Sequence, residues 1–261
     1  MSPLSASHDS ATEFRHLTRA PEAYNFRVVV ISPTDRLFVL TGAGISAESG
    51  IPTFRGAGGL WCNHRIEEVA SPHAWQRDPN LVWEFYSMRR RIASAAKPNL
   101  GHYALAKLEE SLQDRLFLCT QNVDDLHEQA GSGRVIHMHG ELFKSRCDRC
   151  DRAPFDDPAT YASPRPIPRC HCGGLIRPHV CWFGEVPYDL DKISEALDDC
   201  TVFIAIGTSG LVEPAASFVA RVRGRARTIY LGPEEPANNF AFSDCYWGQA
   251  SELLPQIFRC D

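Results

Sequence analysis

Five short runs rich in β-branched and aliphatic residues recur along the chain: Arg36–Thr41, Arg115–Thr120, Arg134–His139, Thr201–Gly207 and Arg227–Leu231. Each has the length and composition of a buried strand. Between them, Gly101–Gln113 sets Leu105, Leu108 and Leu112 on one stripe, and Ile193–Leu197 leads into the fourth run, the pattern of helices that cover a sheet. Strands alternating with helices imply an α/β fold on a parallel sheet. Ligands of open sheets of this kind bind beyond the carboxyl ends of the strands. Those ends carry chemistry here. Thr41-Gly42-Ala43-Gly44 follows the first run, Gln121-Asn122-Val123-Asp124 the second, His137-Met138-His139-Gly140 the third and Gly207-Thr208-Ser209 the fourth. One cleft is expected to collect them.

A chain of 261 residues that is 44% hydrophobic can build one large domain with a smaller insert, which excludes a disordered or fibrous class. A net charge of −5 provides no global basic field, so neither nucleic-acid binding nor adsorption to anionic membrane is expected. The longest apolar runs, such as the one ending Phe203-Ile204-Ala205-Ile206, are strand-sized, and no membrane span is expected. Ten cysteines in a chain of this size, without an apolar signal-peptide core, fit a reducing compartment better than a disulfide framework. The polar stretch from Met1 to about Ala23 mixes Asp9 and Glu13 with Arg15 and Arg19, and reads as a cytoplasmic extension.

Gly42-x-Gly44-x-x-Ala47 matches the turn in which absent side chains let backbone N–H groups and a helix N-terminus approach a pyrophosphate. A plain tight turn uses glycines in the same way. A dehydrogenase would continue into a second strand with an acidic ribose ligand about twenty residues on. This chain continues instead as the loop-like Glu48-Ser49-Gly50-Ile51-Pro52-Thr53-Phe54-Arg55-Gly56, which disfavours hydride transfer.

From Glu141 to Pro178 there is little periodicity, as in a small module held by something other than an apolar core. Cys147-x-x-Cys150 and Cys170-x-Cys172 have the spacing of two knuckles on one tetrahedral zinc, and four thiolates leave no open position, so the metal would be structural. The plainer alternative is two pairs of buried thiols. His137 and His139 stand at the carboxyl end of a strand and are expected to diverge at that end, so that only one reaches the cleft. His139, at the carboxyl end, suits a general base, although a lone histidine is more often a satisfied structural residue. Asn122 and Asp124 offer an amide and a carboxylate, or simply form a turn. In Met88-Arg89-Arg90-Arg91 an arginine run would normally be a solvated face. Tyr86 shares a helix face with Arg89, three residues on, and with Arg90, four on; periodicity does not choose between them.

Four stretches in order resemble the sirtuin signature. They are Gly42 through Arg55; Thr120-Gln121-Asn122-Val123-Asp124-x-Leu126-His127; His139-Gly140; and Arg177-Pro178-x-x-x-Trp182-Phe183-Gly184-Glu185. With the cysteine pairs, the resemblance spans roughly Leu37 to Ala216. It implies a Rossmann-like domain with a smaller zinc-binding and helical domain, and the activity of an NAD-dependent protein-lysine deacylase. The expected division is 28–48, 108–140 and 186–261 for the Rossmann-like part, 49–107 for a cofactor loop and helical insert, and 141–185 for the zinc module and substrate strand. Position by position, the resemblance assigns NAD contacts to Gly42, Ala43, Gly44, Glu48, Thr53, Phe54, Arg55, Trp61, Gln121, Asn122, Asp124, Gly207, Thr208, Ser209 and Ala250. It makes His139 the base, assisted by Asn122 and Asp124, and Cys147, Cys150, Cys170 and Cys172 the zinc ligands. Val180, Trp182, Phe183 and Gly184 would bind the substrate, the peptide adding as a strand.

Tyr86-x-x-Arg89 resembles the subgroup that accepts succinyl and other acidic acyl chains, which favours Arg89 over Arg90. Substitution of Arg90 is then expected to affect neither acyl class. The expected partners are acylated-lysine proteins, with no membrane or nucleic-acid partner, and the chain is expected to be a monomer. One departure stands out: many sirtuins place an asparagine for the adenosine ribose after the fifth strand, where this chain has Leu231-Gly232-Pro233-Glu234. An ADP-ribosyltransferase would use the same cleft, whereas a non-catalytic NAD sensor would not need His139, Asn122 and Asp124 together. A zinc-ribbon nucleic-acid binder has only Arg146, Arg149, Arg152, Arg165 and Arg169 in its favour.

Overall fold

The computed structural model describes residues 28–53, 60–61, 64–163 and 165–260. The chain enters through β1 (Val29–Ile31) and β2 (Leu37–Thr41), turns into the short α1 (Ala43–Ala47), and passes a small hairpin of β3 (Leu60–Trp61) and β4 (His64–Arg65). A helical stretch follows: α2 (Ile66–Val69), α3 (Pro72–Arg77), α4 (Pro79–Ala95) and α5 (Leu100–Leu112). The starts of the last three are written in the sequence. Ser71 accepts from Ala74 N at 3.0 Å ahead of Pro72, and Asp78 accepts from Asn80 N and Leu81 N at 3.1 and 3.0 Å ahead of Pro79. Asn99 and His102 form a reciprocal capping box on α5.

Next come β5 (Leu116–Thr120), α6 (Leu126–Gln129), β6 (Val135–His137), β7 (Gly140–Cys147), β8 (Phe155–Asp156) and β9 (Ile176–Val180). The chain closes with α7 (Leu190–Asp199), β10 (Val202–Ile206), α8 (Phe218–Val222), β11 (Arg227–Gly232), β12 (Asp244–Trp247), α9 (Ala250–Ile257) and β13 (Phe258–Cys260). The main sheet is parallel throughout, in the order β12-β11-β10-β2-β5-β6. The chain builds outward from β2 to β5 and β6, then returns to lay β10 on the other side of β2. That reversal makes the crevice between β2 and β10 the switch point of the sheet.

β2 and β10 are buried at every residue, as their unbroken apolar runs require. One face carries Val39, Ile204 and Ile229 against Leu105, Leu108 and Leu112 of α5 and Leu253, Leu254 and Ile257 of α9. The other carries Phe38, Phe203 and Tyr230 against α7 and α8. A third core joins Trp75, Val82, Trp83 and Tyr86 to Leu142, Val180 and Trp182. The cysteine module retains only Cys147, Cys170 and Ile176 as a buried cluster, in keeping with a unit not held by apolar packing. No described helix is long and apolar enough to cross a membrane.

The five expected strands form within one or two residues of their expected limits. The third ends at His137 rather than His139. Gly140, at φ +83°, then turns the chain into β7, and a side chain there would run into the His179 carbonyl. β7 itself is not apparent in the sequence, because a register shift between Gly140 and Ser145 interrupts its alternation. β12, a half-buried edge strand, is equally silent.

Candidate active site

The carboxyl ends of β2, β5, β6 and β10 open into a cleft of about 470 Å³. Its wall is built on close backbone approach between the first turn and the end of β10. Gly42 N and Gly44 N donate to the Ile206 and Gly207 carbonyls at 3.0 and 2.9 Å. A Cβ on Gly44 would lie 2.6 Å from Gly207 Cα. Two of the N–H groups that the glycine motif would offer to a phosphate are therefore engaged within the protein, and the glycines serve the contact between two strand ends. α1 ends at Ala47, which is exposed and does not reproduce the helix–strand packing role of the motif's last position.

The polar floor comes from the loop after β5. Asn122 donates to the Gly42 carbonyl at 3.1 Å and to Ser46 Oγ at 3.2 Å, and Asp124 accepts from Leu126 N at 3.3 Å and Ser46 Oγ at 3.4 Å. Burial pushes the Asp124 carboxyl up, opposed by those hydrogen bonds and by the charges of His137 and Arg89. Beneath the loop, His127 Nε2 meets Thr41 Oγ1 at 3.0 Å, Thr41 donates to Thr120 Oγ1 at 2.8 Å, and Asn122 N donates to the same oxygen at 3.0 Å. The loop is thus pinned from below as well as from α1.

The two histidines diverge because β6 ends at His137 and His139 lies beyond it; on a continuing strand, two residues apart, they would have shared a face. His139 lines the cleft, and its Nδ1 lies 3.0 Å from the Gln121 carbonyl, an acceptor, so Nδ1 carries the proton and Nε2 keeps its lone pair. Burial lowers its pKa and favours that neutral form. His137 sits between the Asn122 carbonyl at 3.0 Å and the Glu128 carboxylate at 2.8 Å. Burial opposes its charge most strongly, but Glu128, the Asn122 carbonyl and Glu141 together outweigh burial and raise its pKa.

At the opposite wall, Tyr86 and Arg89 of α4 both face the cleft, with Val180, Trp182, Phe183 and Gly184 beside them. Tyr86 is fully buried and its phenol is pushed up to about 12, chiefly by desolvation. Arg90 corrects the expectation of a solvated face. It is 1% exposed, donates to the Leu142 carbonyl at 2.8 Å, the Lys144 carbonyl at 3.1 Å, Ser145 Oγ at 3.1 Å and the Ala159 carbonyl, and lies 3.7 Å from Asp157. It clamps the 140–160 module onto α4, so its substitution cannot be neutral.

Of the remaining expected NAD contacts, Ala43, Thr53, Gln121, Gly207, Thr208 and Ser209 also line the cleft. Glu48 does not; it binds Ser251 N at 3.2 Å and Ser251 Oγ, tying α1 to the start of α9. Ala250 is buried under the sheet, outside the cleft lining. Phe54, Arg55 and the Trp61 side chain lie outside the described residues. Ser46, Cys181, Pro187 and Val212 line the cleft without having been singled out. Ser46 and Cys181 had a signal, their places inside the first and last signature stretches, while Pro187 and Val212 arrive by tertiary proximity. At Gly232 a side chain would meet Tyr230, with Cζ 2.9 Å from the Cβ position. The Tyr230 hydroxyl fills that space, donating to the Glu234 carbonyl at 2.8 Å and standing 3.3 Å from the Thr208 carbonyl.

Cys147, Cys150, Cys170 and Cys172 converge with all four Sγ atoms within 4.8 Å of one another. The Cys147–Cys172 and Cys150–Cys170 separations of 3.5 and 3.8 Å match the edge of about 3.8 Å in a tetrahedron of 2.3 Å zinc–sulfur bonds. Arg149 N and Cys150 N point at Cys147 Sγ, as backbone donors to a thiolate do. The donor set fits a closed structural zinc.

Residues 42–214 match the Sir2 family. An NAD-dependent protein deacylase of Leishmania major is 49% identical over 222 residues, covering 83% of this chain and 91% of its own. One from Caulobacter vibrioides is 48% identical over 224 residues, covering 84% and 94%. Among solved structures, a Sir2 homologue in complex with NAD has a TM-score of 0.78 at 43% identity, over 85% of this chain and 88% of that one. A mutant Sir2 homologue bound to ADP-ribose has a TM-score of 0.77 at 43% identity, over 84% and 88%. Near half-identity sustained over four-fifths of the chain goes beyond a shared fold: this protein belongs to the Sir2 family, the sirtuins.

Proposed function

We propose that the protein is an NAD-dependent protein-lysine deacylase that removes acetyl and, preferentially, acidic acyl groups such as succinyl, malonyl and glutaryl. The observation that carries this is the meeting of Tyr86 and Arg89 with His139, Asn122 and Asp124 in one cleft. Bound NAD would supply the electrophilic C1′ of its nicotinamide ribose: the acyl oxygen would bond there as nicotinamide leaves, and with one water consumed the acyl group would end on ADP-ribose and lysine would be freed. Asn122 and Asp124 hold the carboxamide end by hydrogen bonds without acting as nucleophiles. His139 takes a ribose hydroxyl proton at Nε2 while its Nδ1–H stays on the Gln121 carbonyl. Gly207, Thr208 and Ser209 serve the adenosine half. Residues 180–184 pair with the substrate backbone, so recognition is largely independent of peptide sequence.

Arg89 supplies the charge and Tyr86 a hydroxyl for an acyl carboxylate, a charge-assisted pairing that acetyl-lysine cannot make. The separate cores on the sheet and around the cysteines support a Rossmann-like part distinct from a zinc module, while the helical insert shares its core at α4 with Leu142, Val180 and Trp182. None of the eight cysteines with described side chains is in a disulfide, which supports a reducing, cytoplasmic setting. Mass spectrometry of acetyl-lysine and succinyl-lysine peptides, incubated with and without NAD, tests the proposal. Removal of either acyl group without NAD, or ADP-ribose transferred to the peptide, would refute it.

A further inference from the structure

We propose that Trp182 is a positioning residue for acyl selectivity: its indole N–H engages the Tyr86 oxygen and so turns the Tyr86 hydroxyl proton toward the acyl cavity. The inference deepens the acidic-acyl reading and rests on it. Trp182 Nε1 lies 3.0 Å from Tyr86 Oη. An indole N–H can only donate, so the phenol oxygen accepts, and the hydroxyl proton must point elsewhere. Among the described residues no acceptor receives it, and the cleft that both side chains line is the open direction. A phenol desolvated as fully as this one keeps its proton at neutral pH. What the cavity meets is therefore a fixed donor. A carboxylate accepts and cannot donate, so it gains from that donor; the methyl end of an acetyl group gains nothing.

Trp182 is itself held in place. Its backbone N–H donates to Glu185 Oε2 at 2.8 Å, and the Arg177 guanidinium lies 3.2 Å from the indole centroid. Arg177 is in turn fixed by Glu185 at 2.6 and 3.0 Å and by the Val180 carbonyl at 2.9 Å. Trp75 closes the remaining side, its ring centroid 5.8 Å from that of Trp182. An indole wedged in this way cannot rotate to release the phenol, so the donor direction is set by packing before substrate arrives.

The test is a double-mutant cycle read on succinyl-lysine and acetyl-lysine peptides of one sequence. Trp182→Phe keeps an aromatic ring and removes the N–H. The succinyl-to-acetyl ratio of kcat/KM should fall about two- to tenfold, the scale of one hydrogen bond, with the change carried by KM for the succinyl peptide. In a Tyr86→Phe background the same substitution should leave the ratio unchanged. An unchanged ratio in Trp182→Phe, or an equal fall in both backgrounds, overturns the positioning role, since a purely structural tryptophan would act on both substrates and in both backgrounds alike. If the ratio survives Arg89→Met and Tyr86→Phe as well, the acidic-acyl reading itself has failed. Loss of the ratio in Arg89→Met with none in Trp182→Phe removes only the positioning role. Should Trp182→Phe not fold, the indole ¹⁵N–¹H resonance of Trp182 reads the same bond: it should shift between wild type and Tyr86→Phe, and its constancy would overturn the proposal.

Discussion

His139 and the arginine pair show how much the environment of one side chain decides. The imidazole must be neutral to accept a proton, and burial holds its pKa below the usual histidine value. The acid limb of kcat/KM should therefore fall at a pH below about 6.5, the ordinary histidine range. His139→Ala should lose at least ~100-fold in kcat with the fold and metal content retained. Unchanged turnover would remove the base from the mechanism. Arg89→Met should cost about ten- to a hundredfold in kcat/KM for succinyl-lysine and little for acetyl-lysine. Equal losses on both would assign Arg89 to Asp124 and the nicotinamide end. Arg90→Met, by contrast, takes the counter-charge from the buried Asp157 and leaves the Leu142, Lys144 and Ala159 carbonyls without this donor. Thermal unfolding should record a loss of about 3 kcal/mol, with the ratio of the two acyl substrates intact in the folded fraction.

At the scale of elements, β11 carries the departure that the sequence left open. The Tyr230 phenol occupies the volume of a side chain at 232, bonded to the Glu234 carbonyl beside the turn after β10. Restoring an amide by Gly232→Asn should by itself destabilise the protein by about 1–3 kcal/mol through overpacking. Combining it with Tyr230→Ala should cost less than the sum of the two single changes, because the second removes the obstacle to the first. Additive losses in denaturant unfolding would show that Tyr230 and residue 232 do not share the space.

On the scale of the whole molecule, the zinc module and the buried histidines set where stability comes from. β9 of the module leads straight into the Val180–Gly184 wall of the cleft, so the metal supports the substrate side as well as the module. Elemental analysis should find one zinc per chain, and chelation should lower Tm and deacylation together. Metal-free protein with its full Tm would contradict this. His102 and His179 are held down to about 4, and His127 well below 6.5, in each case first by burial. Groups with depressed folded pKa values contribute stability that is present above the unfolded value near 6.5 and is lost as pH falls toward 4. His137, raised by Glu128, works in the opposite sense, its contribution being lost as pH rises through its folded pKa. Three buried histidines outweigh one partly exposed pair, so Tm should drop between pH 6.5 and 4; a flat profile over that range would count against the buried neutral pairs.

Much of this was legible in the chain alone. Five of the six strands of the main sheet, the helix of Leu105, Leu108 and Leu112, and the four-cysteine cluster follow from apolar periodicity and ligand spacing, which are local properties. The signature stretches named most residues that line the cleft, since a loop fixed at a strand's carboxyl end has little choice of direction. What the tertiary structure decided are the questions with one answer per contact. Arg89 faces the cleft while Arg90 is buried, although the two are adjacent and both share a face with Tyr86, because the 140–160 module covers one of them. Gly42 and Gly44 meet Gly207, Tyr230 fills the place of a side chain at 232, and Trp182 reaches Tyr86 from 96 residues away. Periodicity assigns a residue to a face, but only the elements that pack against that face determine whether it meets solvent, a carbonyl or the substrate.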